Sequence, residues 1–495
     1  MPYLATFDAG TTAVKGVLVA ETGEIALSRS VEIPTVFRGE WKEQDPETWW
    51  EAFQIISRAF AAAVDPAEIT GIAMSGQMQD LIPLNEGLQP VCGAVLYSDG
   101  RAEEEARRLA ETVGEGRFLE ITGNRCDGSL PLPKLMWLKE QRPALYARTR
   151  HVLISSKDYL IAKLTGVCCG DVTACATAGA MDIRRRCWDP ELLRAAGVPA
   201  ELFPKLCLPH QQAGAVREDA AEACGYRPGT PVFAGIGDAG ATTLASGIAR
   251  PGQFNINLGT SGWVATVSGD VLLTESGVFN LAAATPGNYI NVVPFLNAGN
   301  VHRWISGVLT APEHQGDIDY PAMTALLEDS VPGSHGALFL PYLAGERFPV
   351  LDSAARGCYV GLTPETTAAD LARACLEGVA FSLRQGLEQL AIPPETVSVI
   401  GGGGREACWC QILADVLGLE IAAFRNAEYL PSLAVAAIAL VGMGKHPSYE
   451  TFTDGLRQPE SCVLYRPRQE YRQMYDGLYD RYRRLYPALR SVFQG

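Results

Sequence analysis

Basic charge is what this chain most conspicuously lacks: 41 Lys and Arg stand against 56 Asp and Glu, for a formal net charge of −15. Nucleic acids and anionic membrane surfaces bind proteins that carry a basic footprint able to displace counterions, so neither is expected as a partner. Paired CxxC motifs are also missing. The thirteen cysteines are odd in number and scattered, and Cys168-Cys169 and Cys408-Trp409-Cys410 are too closely spaced to clamp a metal. They read as reduced, mostly buried thiols. The six histidines are too dispersed to suggest a metal site. Long hydrophobic runs are absent too: the longest, Leu433 to Met443, falls short of a membrane span, and Met1-Pro2-Tyr3 has neither the basic nor the apolar region of a signal peptide. A cytoplasmic protein is the expectation.

What the chain does have is length and alternation. Its 495 residues, 47% of them hydrophobic, suffice for more than one core, and two large domains are the default. Strand-like runs at Tyr3–Phe7, Gly16–Val19, Ile25–Glu32, Ile69–Met74, Pro231–Gly235, Gln253–Asn257 and Val397–Ile400 have helices between them. Asp45-Pro46-Glu47 is a helix start, Asp as N-cap and Pro at the first helical position, opening an apolar-striped helix to about Ala63. Glu365 to Leu390 reads as one or two helices. No low-complexity linker divides the chain. The boundary is best placed at Arg250-Pro251-Gly252, giving an N-terminal lobe of residues 1–250 and a C-terminal lobe of 251–495.

Near the start of each lobe the same turn recurs. Phe7-Asp8-Ala9-Gly10-Thr11-Thr12 leads through Lys15 into Gly16-Val17-Leu18-Val19, and Asn257-Leu258-Gly259-Thr260-Ser261-Gly262 leads into Trp263-Val264-Ala265-Thr266. Glycine lets backbone approach an anion closely, and the neighbouring amides and hydroxyls can hold phosphate oxygens. Two such turns suggest paired lobes facing one phosphate-bearing ligand. Between them, Gly235-Ile236-Gly237-Asp238 puts a carboxylate at a helix start. Asp238 reads either as an N-cap or, in this setting, as the general base that phosphoryl transfer needs. After Val397–Ile400 come four glycines and Arg405. They suit contact with a flat nucleotide base; a dinucleotide fingerprint through Gly402, Gly404 and Ala407, or a purely structural turn, stay open.

Ser129-Leu130-Pro131-Leu132-Pro133-Lys134-Leu135-Met136-Trp137-Leu138-Lys139-Glu140-Gln141 fits the first signature of the FGGY carbohydrate kinase family at every constrained position. Gly357 to Leu362, with Asp370-Leu371 and Ala374-Cys375-Leu376-Glu377, fits the second except at Cys375, and Pro341-Tyr342-Leu343-Ala344-Gly345-Glu346-Arg347 is similar to the segment ahead of it. The chain therefore resembles that family over nearly its whole length, nearest its xylulokinases. The resemblance implies an α/β fold of two actin/hexokinase-like (ribonuclease H-like) lobes with the active site in the cleft between them. It implies ATP and Mg²⁺, with Asp238 as catalytic base and Asp8 holding the metal. Gly10, Thr11 and Thr12 match the first phosphate turn, Gly259 and Thr260 the second, and Gly402, Gly403 and Gly404 the adenosine side, where Ser432 to Ala436 is similar to the completing helix start.

The segment matching the family's sugar contacts, Ser75-Gly76-Gln77-Met78-Gln79-Asp80, departs from the xylulokinase pattern Gly-Gln-Met-His-Gly: Gln79 replaces a histidine and Asp80 a glycine. Met78, Gln79, Asp99 and Asp238 are the expected sugar neighbours. An amide can donate and accept toward hydroxyls but carries no charge. Lys15 reads equally as a phosphate contact or an exposed hairpin lysine. The tyrosines from Tyr471 to Tyr486 read as a packing stripe and not an RNA surface, and Glu103 to Arg108 as a solvated helix face. The expectation is an ATP-dependent kinase with D-xylulose as first substrate; another ketose, a deoxy-sugar, gluconate or glycerol is the alternative, and a nonenzymatic actin-like ATP-binding protein a remote one. Its partners are a small sugar and ATP. Oligomeric state stays open, a homodimer included.

Overall fold

The first strand, β1 (Tyr3–Ala9), turns through Gly10 into β2 (Ala13–Ala20), and β3 (Ile25–Glu32) extends the meander antiparallel. These and the other coordinates come from a computed structural model that describes residues 1–39, 41–274, 277–310, 318–425, 427–458 and 460–493. Helix α1 (Pro46–Ala63) begins as its sequence demands: the Asp45 side chain accepts from the Glu47 amide and Pro46 opens the helix. Trp49, Phe53, Ile56 and Phe60 recur at helical spacing and are buried. Phe53 meets Phe7 of β1 with ring centroids 4.2 Å apart.

On the other side of β1 lies β4 (Ile69–Gly76), paired in parallel. Two helices behind the cleft matter later, α2 (Pro131–Gln141) and α3 (Ser156–Thr165). Strands β5 (Gln212–Ala215) and β6 (Pro231–Phe233) complete the order β5-β6-β4-β1-β2-β3, and the short β7 (Ile236–Gly237) runs parallel to the end of β4 before α4 (Asp238–Ala245).

The second half builds the same arrangement again. Strands β8 (Gln253–Leu258) and β9 (Gly262–Ser268) form the hairpin, and β10 (Phe279–Ala282) and β11 (Tyr289–Phe295) extend it antiparallel. Helices α5 (Gly299–Thr310) and α6 (Ala368–Gln389) come next. The span from Glu365 to Leu390 thus holds one helix, Ala368–Gln389, opened by a reciprocal capping box between Thr367 and Asp370. Strand β12 (Thr396–Ile400) then pairs in parallel with β8, helix α7 (Ala407–Leu417) leads to the parallel β13 (Ile421–Phe424), helix α8 (Leu430–Gly442) succeeds it, and β14 (Cys462–Tyr465) closes the sheet antiparallel. The fold is α/β with two sheet-centred lobes, each a hairpin flanked by parallel strands.

The second signature lies inside this lobe. Arg373 donates to Glu377 at 2.8 Å and to the Tyr475 hydroxyl at 3.1 Å, all three side chains buried. Tyr475, Tyr479 and Tyr482 of the last-but-one helix, α9 (Arg472–Tyr482), form the packing stripe their spacing predicts. The apolar run from Leu433 to Met443 falls mostly within α8, a helix that packs against α4 and against β1 and β4 of the other lobe. Leu4, Val17 and Ala73 share one core cluster with Ala434, Val435 and Ile438. No described helix is long and apolar enough to cross a membrane.

The α4–α8 crossing depends on small residues, Ala241 and Ala245 facing a helix that carries Ala434 with no solvent exposure. Ala434→Leu inserts methylenes where backbones are already close and should destabilise the protein by about 1–3 kcal/mol, read as a lower urea midpoint with an unchanged m value.

Candidate active site

Strand register brings three strand ends to one place. Asp8 pairs with Ser75 and Ala9 with Gly76 across β1 and β4, while Gly237 pairs with the same Gly76 from the other side. The turn after β1, the segment after β4 and the start of α4 thus converge at the carboxyl ends of parallel strands, where open α/β sheets bind ligands. Side chains fix the convergence. Ser156 Oγ donates to the Ala9 carbonyl at 2.6 Å, and the Gln77 amide donates to that carbonyl at 3.0 Å. Thr11 Oγ1 donates to Gln77 Oε1 at 2.8 Å, and Gln44 Nε2 to the Thr11 carbonyl at 2.6 Å. Gln44 and Gln77 escape the sequence reading because a buried glutamine carries no local pattern.

Beneath the turn that carries Asp238 lies a buried ion cluster. Lys157, Asp158 and Asp171 have no side-chain exposure; Lys157 Nζ meets Asp171 Oδ2 at 2.8 Å and also bonds Asp158. The same ammonium donates to the Ala234 carbonyl at 3.1 Å. Asp171 Oδ1 accepts from the Thr173 amide at 2.9 Å and from the Gly237 amide at 3.4 Å.

Asp238 is the first residue of α4, with Gly237 in the capping position, so the N-cap reading does not hold. Its carboxyl opens onto the cleft and accepts from the Ala239 amide at 2.7 Å. Loss of hydration among the surrounding protein, reinforced by the charge of Asp8 and opposed by that amide, pushes it up to about 7. Asp8 is raised by burial too, offset by a hydrogen bond from Ser75 Oγ at 2.9 Å and by the charge of Lys15. Lys15 is exposed directly across the hairpin from Asp8.

The second lobe contributes a cavity of about 590 Å³ that collects Gly259, Thr260, Gly402, Gly403 and Arg405. Gly404 and Arg405 border a neighbouring cavity of about 460 Å³ with Arg425 and Glu428. Close backbone approach dictates the glycines: a Cβ at Gly299 would sit 2.4 Å from the Gly259 carbonyl oxygen, and one at Gly401 2.6 Å from Asn257 Oδ1. The Gly299 and Asn300 amides donate to Gly259 and Thr260 carbonyls at 2.7 and 3.0 Å, fixing the second turn. Asn300, His302, Arg303, Tyr320 and Trp409 also line the cavity and were not expected. Gly299-Asn300 at a helix start after a strand was the available signal.

The first-lobe wall begins at Met78, whose Sδ lies 2.0 Å from where a Gly237 Cβ would be. Next to it Gln79 has φ 66° and donates through Nε2 to Ser129 Oγ at 2.6 Å. Lys134, with no exposure, donates to the carbonyls of Gln79 at 3.2 Å and Leu96 at 2.7 Å. Burial lowers it to about 8 and raises its neighbour Asp80 well above the usual carboxylate range. Asp99 differs from the expectation of a sugar contact. It is fully buried and holds Arg101, which donates from Nε at 2.9 Å and Nη2 at 2.6 Å, while the Lys42 amide takes the same carboxylate at 2.6 Å. Arg101 lies over the rings of Trp41 and Trp137 at 4.4 and 5.0 Å. The first signature therefore braces this wall through Lys134 and Trp137. Among the described residues no group of three or more His, Cys, Asp or Glu is placed to hold a metal.

Comparison with known proteins agrees with this architecture. The N-terminal domain of the FGGY family of carbohydrate kinases matches residues 3–245 and the C-terminal domain residues 254–442. The chain is 34% identical over 442 residues to the xylulose kinase of Klebsiella pneumoniae, covering 88% of this chain and 89% of that one. A crystal structure of ligand-bound xylulose kinase from Lactobacillus acidophilus superposes with TM-score 0.91 at 25% identity, over 100% of this chain and 99% of that one. A gluconate kinase structure from the same organism gives 0.90 at 25%, with the same coverage. Matched by both family domains, one on each lobe, the chain belongs to the FGGY family of carbohydrate kinases, which phosphorylate sugars with ATP.

Proposed function

We propose that the enzyme transfers the γ-phosphoryl group of ATP to a hydroxyl of a small ketose, with D-xylulose first, giving xylulose 5-phosphate. The observation that carries the reading is the placement of Asp238: its carboxyl stands at the convergence of three strand ends, beside the first glycine turn. The similarity to xylulose kinases supports the substrate. Gluconate is the second reading, on the likeness to a gluconate kinase.

In this mechanism the sugar lies against Met78 and Gln79 with its hydroxyl at Asp238. The carboxylate accepts the hydroxyl proton as the oxygen bonds to the γ-phosphorus and the bond to the ADP oxygen breaks; the proton then leaves Asp238 to solvent. Gly10, Thr11, Thr12 and Lys15 hold phosphate oxygens from one lobe and Gly259 and Thr260 from the other, while Gly402, Gly403, Gly404 and Arg405 flank the adenosine. Asp8, raised by burial with its Oδ1 hydrogen-bonded to Ser75, fits a cation arriving with the nucleotide and would hold Mg²⁺. When bound, the ion supplies neutralisation of phosphate charge. The lobes correspond to residues 1–250 and 251–495, and closure between them excludes water from the phosphate. We place the enzyme in the cytoplasm.

A coupled ADP-release assay over a panel of ketoses, polyols and aldonates tests the reading; no sugar-dependent ADP would overturn it. Asp238→Asn keeps the shape and removes the proton acceptor, so kcat should fall by about 100-fold or more while both ligands still bind. Activity within about threefold of wild type would remove Asp238 from the mechanism. Because the base works deprotonated, wild-type kcat/KM should drop tenfold per pH unit below a midpoint of about 7. Asp238→Asn should flatten that limb. Gly259→Val puts a side chain 3.1 Å or less from the Ser261 carbonyl oxygen, inside the second turn. Its KM for ATP should rise far more than its KM for sugar; the opposite split would refute the two-turn arrangement.

A further inference from the structure

We propose that Cys169 and Cys207 form a redox-sensitive pair: a hydroperoxide joins them in a disulfide that slows phosphoryl transfer, and a dithiol restores the reduced enzyme. The effect on rate rests on the kinase reading above; formation of the bond does not.

The pair comes from two short strands, Cys169–Asp171 and Lys205–Cys207, which run parallel side by side. Cys169 is in register with Lys205 and Asp171 with Cys207, so the two cysteines stand on a diagonal across the pair. Strand alternation puts both side chains on one face. Both thiols are free, and both belong to one buried core cluster of the first lobe. A hydrogen bond from Cys169, with the charges of Lys205 and Lys157, holds the Cys207 thiol below its ordinary range against the opposing effect of burial. The same contact, together with burial, raises Cys169. Cys207 is therefore the nucleophile of the two. It is also the more open, with 5% exposure against 1% for Cys169, and it lies two residues from the exposed Lys205.

With hydrogen peroxide as the oxidant, the Cys207 thiolate bonds to one peroxide oxygen, the O–O bond breaks, and the other oxygen leaves as hydroxide and takes up a proton to become water. The Cys169 sulfur then bonds to the sulfur of the resulting sulfenic acid, the S–O bond breaks, and the oxygen leaves with the Cys169 proton as a second water. Two thiols have lost two electrons and two protons, and one peroxide has become two waters.

Closing that bond moves the backbone. Diagonal neighbours on paired strands stand roughly 7–8 Å apart, whereas a disulfide takes Cα atoms no more than about 7 Å apart. The strands must slide along one another, and Asp171 moves with Cys169. Its carboxylate holds Lys157 at 2.8 Å and accepts from the amide of Gly237, the residue before Asp238, at 3.4 Å. Asp238 is thereby displaced from the acceptor hydroxyl, and transfer is sensitive to such displacement. A disulfide formed under strain is readily reduced, which makes the change reversible.

The test treats the full-length enzyme with hydrogen peroxide, alkylates the remaining thiols and maps the peptides by mass. A Cys169–Cys207 linkage should appear and dithiothreitol should remove it; no linkage, or Cys207 joined instead to Cys175, overturns the pairing. With MgATP and D-xylulose, kcat of the linked enzyme should fall at least about tenfold and return on reduction, with KM for ATP within about twofold of its reduced value. An unchanged kcat in the linked enzyme overturns the effect on rate. No ADP release from the reduced enzyme would count against the kinase reading, and the rate effect falls with it, while mass alone decides the bond. Reduced Cys169→Ser should keep kcat within about twofold of wild type. It should also lose the kcat response to peroxide, with dimedone trapping a sulfenic acid at Cys207. Cys207→Ala should lose the response as well. Inactivation of both variants to the wild-type extent would place the oxidation elsewhere and overturn the proposal.

Discussion

A lysine ammonium with no access to water is the constraint on which the catalytic end of this molecule depends. An isolated buried charge is very costly, so Lys157 must be paired and hydrogen-bonded wherever it sits. Its partners are Asp158, Asp171 and the Ala234 carbonyl. Asp171 passes the constraint on, through the Gly237 amide, to the residue before Asp238. The preceding residue on the same helix, Ser156, takes the Ala9 carbonyl at the first turn. One helix start thereby sets the relative positions of the first glycine turn and Asp238. Removing the ammonium would leave two carboxyls without their counter-charge in the interior, so the arrangement has little freedom to drift.

Around that anchor the chain uses one architecture twice. Each lobe places a tight hairpin turn at the end of its central strand and a parallel strand beside it, so each turn lies at the carboxyl ends of parallel strands. Beyond the turns the lobes differ. In the first, the neighbouring strand ends lead to the Met78 thioether, the Gln79 amide and the Asp238 carboxyl. In the second they lead to glycines and a cavity with Tyr320, His302 and Trp409 around it. The two lobes thus differ in these side chains and not in the plan of their backbone.

Features that depend on neighbours in sequence were legible before the fold was known. The cap at Asp45, the bounds of β3 and the packing spacing of Tyr475, Tyr479 and Tyr482 each depend on residues within a turn or two. The recurring glycine turns also announced themselves, because close backbone approach leaves few residue choices. Contacts between distant segments left no such trace. Gln44 reaches Gln77, Gln79 reaches Ser129, and Lys157 reaches Ala234, each by a pairing that only the assembled sheet creates. Asp99 shows the converse error. Its place in the segment that resembles the family's sugar contacts suggested a ligand contact, but Arg101, two residues on, takes up the carboxylate.

The lobes are also joined away from the cleft by buried polar contacts. Thr173 Oγ1 donates to the Ala282 carbonyl at 2.6 Å, and the Asn124 side chain donates to the Asn280 carbonyl and accepts from the Asn280 amide, both at 2.8 Å. Such bonds are expensive to break without water to replace them. An edge secured in this way acts as a fulcrum: a rotation of a few degrees there is multiplied by the distance to the opposite rim. If the lobes close as proposed, lever geometry would give the glycine turns the larger travel and the bonds along the secured edge the smaller.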